Sequence, residues 1–189
     1  MPIQTRYGIA LDTDLQKTWG ADFSIDFIVP LELVSQWRRC GLVSDFLANY
    51  HSFCFKDPTK ALSVLSTIIN ELLENAVKFS KDKNKLVTLS LRHFNHTIYI
   101  ETINVSDQPN ASRLNEFVLK LDQNDADTLF FEQLEKAATT VGISGLGLLS
   151  VIKDYDAQLG LLIYPKVDES NCYEITVTIA VELSTIDAL

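Results

Sequence analysis

The hydrophobic and polar positions change their period along the chain, and the changes divide it into predicted strands and helices. Short runs rich in β-branched and aromatic residues predict strands at residues 6–11, 22–29, 86–92 and 96–105, the last two forming a hairpin around Phe94 and Asn95. A helical period predicts one long helix over residues 60–79. Strands and helices follow each other in runs, without strict alternation, which favours an α+β two-layer sandwich.

The remaining segments extend the same pattern. Residues 30–41 and 42–53 predict two helices, with Pro30 at a start and Gly41 at the break between them. Residues 113–140 are predicted mostly helical, interrupted by the polar residues 123–127. A helix over residues 148–158 is expected to end at Gly160 as its C-cap, and two strands follow at 159–164 and 173–183.

The length and composition indicate one folded domain. Hydrophobic residues make up 47% and charged residues 22% of the 189 residues, which are ordinary values for a globular protein. No linker rich in Pro, Gly or Ser and no internal repeat divides the chain. We therefore expect a single domain over residues 1–189, with residues 1–59 as an N-terminal strand and helix extension.

The charge pattern makes nucleic acid a poor candidate for the partner. Asp and Glu number 25 against 16 Lys and Arg, giving a net charge of −9, and no basic run could follow a phosphate backbone. A small phosphate ligand stays open, since it needs only local cations, backbone N–H groups or a metal ion. Three widely spaced cysteines, no signal-peptide core and no membrane-length apolar run predict a cytoplasmic protein without a membrane anchor.

Residues 70–80, NELLENAVKFS, combine an apolar stripe with a short polar line. Glu71, Asn75 and Lys78 stand at i, i+4 and i+7, which is one face of a helix. The apolar residues take a neighbouring face. Taken alone, the polar line is explained equally well as a solvated helix surface.

Residues 142–153, GISGLGLLSVIK, place glycines directly before a predicted amphipathic helix. Glycines allow a loop to bring backbone N–H groups close to a phosphate, and the helix N-terminus adds its positive end. A flexible turn that only starts a helix is the structural alternative.

Together and in this order, the two motifs resemble those of the GHKL superfamily of ATP-binding domains, which includes histidine kinases and the anti-sigma-factor serine/threonine kinases. The resemblance covers roughly residues 60–182. It implies the Bergerat ATPase fold, a mixed, mostly antiparallel sheet covered by helices, with ATP and Mg²⁺ as cofactors. By this resemblance Asn75 gives its side-chain oxygen to Mg²⁺, and Glu71 orients or deprotonates the attacking group.

The resemblance also implies which residues hold the rest of the nucleotide. Lys78 extends the polar line toward the phosphates, while Phe79 either lies against the nucleotide or, as its apolar character favours, joins the core. Gly142 stands one place from the additional glycine of many relatives. The implied phosphate-binding segment consists of Gly142, Ser144, Gly145, Leu146, Gly147 and Leu148.

The chain departs from the superfamily at the Asp-x-Gly-x-Gly box, whose Asp reads the adenine amino group. Residues 97–107 contain no glycine, and the alternation of Ile98, Ile100 and Thr102 puts Asn104 where that Asp would stand. An Asn carbonyl still accepts a hydrogen bond but lacks the charge. Asp107 is the other candidate, expected instead in a turn with Pro109. With residues 36–50, this Asn resembles the SiaB-like branch of the kinases.

The resemblance implies a partner-switching serine/threonine kinase that phosphorylates a STAS-domain anti-sigma-factor antagonist. None of the three histidines has the surroundings of a histidine-kinase phosphoacceptor. Glu71 favours a hydroxyl acceptor as well, because a hydroxyl gains from an adjacent base. The alternative is a non-catalytic nucleotide-binding adaptor, which the absent glycine box supports; a chaperone-type ATPase switch is less favoured. A homodimer is a further expectation, with Trp37, Arg38 and Arg39 as a contact surface or an ordinary packed helix.

Overall fold

The computed structural model describes residues 3–9, 21–30, 37–81, 86–139 and 146–188. Within these ranges the chain forms six strands and six helices. In chain order they are β1 (Thr5–Gly8), β2 (Phe23–Pro30), α1 (Trp37–Ser52), α2 (Pro58–Phe79), β3 (Leu86–Phe94), β4 (Thr97–Asp107), α3 (Gln108–Gln123), α4 (Ala126–Thr139), α5 (Leu146–Tyr155), β5 (Gln158–Pro165), β6 (Cys172–Glu182) and α6 (Leu183–Ala188).

The six strands form one sheet in the order β1-β5-β6-β4-β3-β2. All the pairings between them are antiparallel. One face of this sheet carries the apolar residues of alternate positions, and α2 packs on it with a fully buried stripe that includes Leu65, Ile69 and Leu72. The predicted α+β two-layer sandwich is therefore confirmed.

Helix α2 is fixed at both ends by residues suited to those positions. Asp57 is its N-cap and accepts hydrogen bonds from the backbone N–H groups of Thr59 (3.0 Å) and Lys60 (3.1 Å). Pro58 begins the helix, where its missing N–H costs nothing. At the other end Ser80 leaves the helix in an extended conformation. The long predicted helix is therefore present and two residues longer at its start.

The central hairpin of β3 and β4 also matches its prediction. Asn95 takes the left-handed conformation that the tight turn needs, with φ at 52°. Along β4 the residues Ile98, Ile100, Thr102 and Asn104 are all buried and alternate with residues of the opposite face. Asn104 thus lies where the alternation places it, on the side of the sheet that faces α2.

Two glycines do not have the roles predicted for them. Gly41 lies inside α1 and does not separate two helices; its α-carbon faces open space, and one glycine weakens a helix by only about 1 kcal/mol, which packing on α2 can offset. Gly160 is in β5 and not a helix C-cap. Helix α5 ends at Tyr155, and Asp156 adopts the left-handed conformation after it.

The helix after β4 begins earlier than its period indicates. Asp107 caps α3, accepting a 3.0 Å hydrogen bond from the N–H of Asn110, and Pro109 stands in the first turn. The predicted loop turn at Asp107 and Pro109 is therefore wrong, because the same residues serve as a helix start. The predicted interruption near residues 123–127 is present between α3 and α4.

The first two strands take the two edges of the sheet. β1 pairs with β5 and β2 pairs with β3, so residues 5–8 and 23–30 belong to the same sheet as the strands of the candidate site. The single-domain boundary at 1–189 stays a prediction. Among the described helices, none combines the length and the hydropathy that crossing a membrane would require.

Candidate functional site

A cavity of about 240 Å³ opens between α2, α3 and the middle of the sheet. Strands β4 and β6 form its floor, and single residues of α4 and α5 reach its wall. Its lining is mainly apolar, with amide and charged groups at intervals, as is usual for small-molecule sites. The lining residues are Leu72, Asn75, Ala76, Phe79, Thr102, Asn104, Asn110, Arg113, Leu114, Glu116, Phe117, Lys120, Gln133, Leu148, Ile175 and Val177.

Helix α2 presents part of its predicted polar line to this cavity. Asn75 is half-buried and lines the wall, one turn before Phe79, which also lines it. Lys78 is exposed, and its Nζ stands 5.4 Å from the centroid of the Phe79 ring, a cation–π arrangement. Phe79 is thus a wall residue outside the main core cluster, and Lys78 lies beside it at the surface.

Glu71 lies beside the cavity, against the first turn of α5. A β-carbon added at Gly147 would stand 3.0 Å from Oε1 of Glu71 and nearer still to Oε2, so glycine is the residue that leaves room for this carboxylate. Burial raises the pKa of the Glu71 carboxyl, and the neighbouring Glu74 raises it further. The two sequence motifs therefore meet directly, through a half-buried carboxylate with raised proton affinity.

Asn104 is a buried amide at the floor of the cavity. Only 4% of the residue is exposed, and its Nδ2 donates a 3.1 Å hydrogen bond to Oγ of Ser80. Ser80 in turn donates to the backbone oxygen of Ala76 at 2.6 Å. Among the described residues no group donates to the side-chain oxygen Oδ1 of Asn104, which keeps its capacity to accept a hydrogen bond from a ligand.

The glycine motif is only partly described. Gly142, Ser144 and Gly145 lie outside the described residues, as do all of residues 140–145. Leu146 and Gly147 form the start of α5, and Leu148 is buried and lines the cavity. The described part of the motif therefore lies next to the polar line of α2.

Helix α3 contributes cavity residues that the sequence analysis missed. Arg113, Phe117 and Lys120 repeat at helical spacing and line one side, and Asn110 lines it one turn earlier. No ion pair links Arg113 or Lys120 to a described carboxylate, so two cations stand at the cavity in a chain of net charge −9. The one available signal was their spacing on a single helix face, which by itself indicates only a solvated surface.

The donor set at the cavity fits a magnesium ion that a nucleotide brings with it. Mg²⁺ prefers oxygen, keeps several waters, and is commonly held by few protein ligands together with substrate phosphates. Asn75 supplies an amide oxygen on the wall, and no cluster of three or more His, Cys, Asp or Glu is present in the described part of the chain. Asn75 is the lining residue that the resemblance assigns to the ion, and whether it holds Mg²⁺ stays a prediction.

The largest run of exposed apolar residues on one described helix lies on α1 and just after it. It comprises Leu42, Phe46, Tyr50 and Phe53, which are 59–74% exposed. Leu42 and Phe46 of this run line a groove between α1 and α2. Along α2 the groove extends as far as Thr67, two turns before Asn75. The side chains of Trp37 and Arg38 lie outside the description, and the homodimer stays a prediction.

Comparison with known proteins gives a similarity of fold. No protein-family model matches the sequence, and no curated protein matches it. Among solved structures, the chain is similar to a chain in the crystal structure of the SiaB–SiaC complex from Pseudomonas aeruginosa. The TM-score is 0.60 at 14% identity, over 83% of this chain and 89% of that one.

This similarity concerns the architecture. At 14% identity it shows that the two chains share a fold, over nearly the full length of each. It agrees with the α+β sandwich derived from the strand and helix pattern. Membership of the GHKL superfamily, the nucleotide and the metal stay predictions.

Proposed function

We propose that this chain is an ATP-binding regulatory protein of the partner-switching type, which holds Mg-ATP in the cavity between α2, α3 and the sheet. Its activity would be that of a serine/threonine kinase toward a STAS-domain anti-sigma-factor antagonist. The similarity of fold and the two sequence motifs together support this function. The roles of individual residues depend on the cavity.

The observation that carries the proposal is the meeting of three separate segments at one cavity. Asn75 of α2, Asn104 of β4 and Leu148 of α5 all line it, although they are far apart in the sequence. These are the segments that the resemblance assigns to metal, adenine and phosphate. The direct packing of Glu71 on Gly147 supports the same pairing of motifs.

The charges at the cavity support an anionic ligand. Arg113, Glu116 and Lys120 are the charged residues of its lining, all on α3, and together they carry one net positive charge. The N-terminus of α5 adds the positive end of a helix dipole on the other side. The net positive lining and the helix dipole would both favour a triphosphate, while the apolar wall formed by Leu72, Phe117 and Val177 suits an aromatic base.

Phosphoryl transfer to a hydroxyl needs a base and a positioned nucleotide. The raised pKa of Glu71 suits a group that must accept a proton near neutral pH, because proton affinity closer to the working pH makes a carboxylate a better base. Asn75 would hold Mg²⁺, which supplies charge neutralisation for the phosphates when bound. Arg113 and Lys120 would orient the phosphate chain, and Asn104 the base.

The protein partner is part of the proposal. The structural neighbour was solved as a complex of two proteins, SiaB and SiaC. A STAS-domain antagonist would present its serine or threonine beside the cavity, next to Leu148, where Glu71 packs against Gly147. Binding without transfer would already regulate such a partner.

A second function, the non-catalytic adaptor, has one observation in its favour. Glu71 does not belong to the cavity wall, because its carboxylate is turned against Gly147 of α5. With the glycine box also absent from β4, the chain could hold a nucleotide and grip its partner without transferring phosphate.

Transfer of label from γ-labelled ATP to a STAS protein encoded nearby separates the two functions. The kinase predicts a labelled partner, and Glu71→Gln should reduce the rate on the order of 10²- to 10⁴-fold while nucleotide affinity stays within a few-fold. Glu132→Gln, an exposed carboxylate of α4, is the matched control and should keep the wild-type rate. Transfer at the wild-type rate in Glu71→Gln would remove Glu71 as the base, and nucleotide binding without transfer would favour the adaptor.

A further inference from the structure

A chain of hydrogen bonds at the end of α2 controls how Asn104 faces the cavity. Ser80 leaves α2 as its C-cap and donates its hydroxyl hydrogen to the backbone oxygen of Ala76, at 2.6 Å. Oγ of the same serine receives Nδ2 of Asn104 at 3.1 Å. Both side chains are more than nine-tenths buried, with 7% of Ser80 and 4% of Asn104 exposed.

The chemistry of the groups fixes which atom donates and which accepts in each of these hydrogen bonds. The orientation of the Asn104 amide follows from it. A backbone carbonyl can only accept, so the single hydroxyl hydrogen of Ser80 is committed to Ala76. Oγ can then act toward Asn104 only as an acceptor, and the amide must present an N–H to it. The carbonyl oxygen of Asn104 is therefore the end left for the cavity.

We propose that Ser80 is a positioning residue which, by fixing the Asn104 amide, makes the cavity select a base with an exocyclic amino group over one with a carbonyl at the same place. This inference rests on the proposed nucleotide site. Adenine offers an amino donor at this edge, whereas guanine offers the acceptor O6. Two acceptors facing each other leave both without a hydrogen bond and repel, so guanine nucleotides are rejected.

The same bonds explain how an asparagine can stand in for the aspartate of the related kinases. Both outer atoms of a carboxylate are oxygens, so an aspartate presents an acceptor to the cavity whichever way it is turned. An amide presents an acceptor only when its oxygen, and not its nitrogen, faces the cavity. Ser80 disfavours the wrong orientation, because turning the amide would aim its oxygen at Oγ, and the hydroxyl could donate to that oxygen only by giving up its bond to Ala76. The neutral asparagine then offers the base a hydrogen-bond acceptor, as a carboxylate would.

The test compares the affinities for ATP and GTP, each with Mg²⁺, in the wild type and in variants at Ser80. We expect the wild type to prefer ATP on the order of tenfold or more. Ser80→Ala should bring the ratio to within a few-fold, chiefly by improving GTP, because the amide is then free to turn. Ser80→Thr keeps the hydroxyl and should keep the preference.

A double variant distinguishes lost orientation from simple loss of structure. In Ser80→Ala with Asn104→Asp, both outer atoms of residue 104 are acceptors, so the preference for ATP should return although Ser80 is still missing. A ratio in Ser80→Ala equal to that of the wild type would overturn the inference, as would equal binding of ATP and GTP by the wild type. If the wild type binds neither nucleotide, the proposed function itself fails, which is a different result.

Discussion

At the scale of single residues, His51 lies in an environment that opposes its charge. The residue is fully buried beside the ring of Phe23, at 4.6 Å between centroids, and within the described residues neither ring nitrogen has a hydrogen-bond partner. Burial, together with a smaller effect of the nearby His93, lowers the pKa of His51 from 6.5 to about 4. The neutral ring is therefore the form that the fold accepts.

This burial predicts a loss of stability in mild acid. Since the folded pKa lies below the unfolded one, the contribution is fully present above pH 6.5 and is lost as the pH falls toward 4. From the two pKa values we expect roughly 2 kcal/mol less unfolding free energy at pH 5 than at pH 7.5 from this residue. Urea denaturation at both pH values measures it.

The comparison variant is His51→Phe, which keeps an aromatic ring but removes the titrating group. Its unfolding free energy should depend less on pH than that of the wild type, while His96→Gln, at an exposed turn residue, should behave as the wild type does. Equal pH dependence in the wild type and His51→Phe would show that His51 is not the group responsible.

The sequence predicted some of these residues well and others not at all. Asn104 could be placed because the period of a strand fixes which residues share its face, and the face was marked by Ile98 and Ile100. Arg113 and Lys120 could not, because their role depends on how α3 docks over the sheet. The pairing of Ser80 with Asn104 likewise joins residues 24 positions apart and needs the folded chain.

At the scale of elements, the contact between α2 and α5 joins the two motifs of the candidate site. Gly147 lies in the first turn of α5, where alanine would ordinarily stabilise a helix by about 1 kcal/mol relative to glycine. Here the added β-carbon would overlap the Glu71 carboxylate. An alanine here would therefore make the Glu71 side chain move its carboxylate away from α5.

We predict that Gly147→Ala falls short of the roughly 1 kcal/mol by which alanine ordinarily stabilises a helix position, because the flexible Glu71 side chain must move its carboxylate aside in the wild-type background. In a Glu71→Ala background the same change should be neutral or stabilising, because the overlapping carboxylate is gone. Urea denaturation of the four proteins of this double-mutant cycle gives the coupling between the two positions.

Gly41→Ala is the matched control, since Gly41 is also helical but its added β-carbon would meet nothing within 4 Å. It should stabilise by about 0.5–1 kcal/mol. If Gly147→Ala stabilises as Gly41→Ala does, α2 and α5 do not meet through Glu71, and the joining of the two motifs is wrong.

The errors at the scale of elements have a common physical origin. Gly41, Gly160 and Pro109 were each taken to interrupt structure, although glycine is tolerated inside a packed helix or strand and proline suits the first turn of a helix. In Gly160 the absent side chain makes room for the backbone oxygen of Ile9. Pro30, predicted to begin a helix, is instead the last residue of β2. Local residue preferences placed most of the elements, but tertiary packing decided how these residues are used.

At the scale of the whole molecule, the sheet holds the candidate site together from distant parts of the chain. β4 and β6 are neighbours in the middle of the sheet and form the cavity floor, while α2 and α3 stand on either side of it. The strand and helix pattern was sufficient to predict the two layers. The position and lining of the cavity required the packing of α3, α4 and α5 over that sheet.

The central claim is that Mg-ATP binds in this cavity, and the melting temperature with and without Mg-ATP tests it most directly. A ligand at 100 times its dissociation constant stabilises the folded state by about 2.7 kcal/mol, which raises the melting temperature of a domain of this size by roughly 5–10 °C. We expect such a rise in the wild type and a much smaller one in Asn75→Ala, which lacks the amide oxygen for Mg²⁺. No rise in the wild type at millimolar nucleotide, or an equal rise in Asn75→Ala, would contradict it.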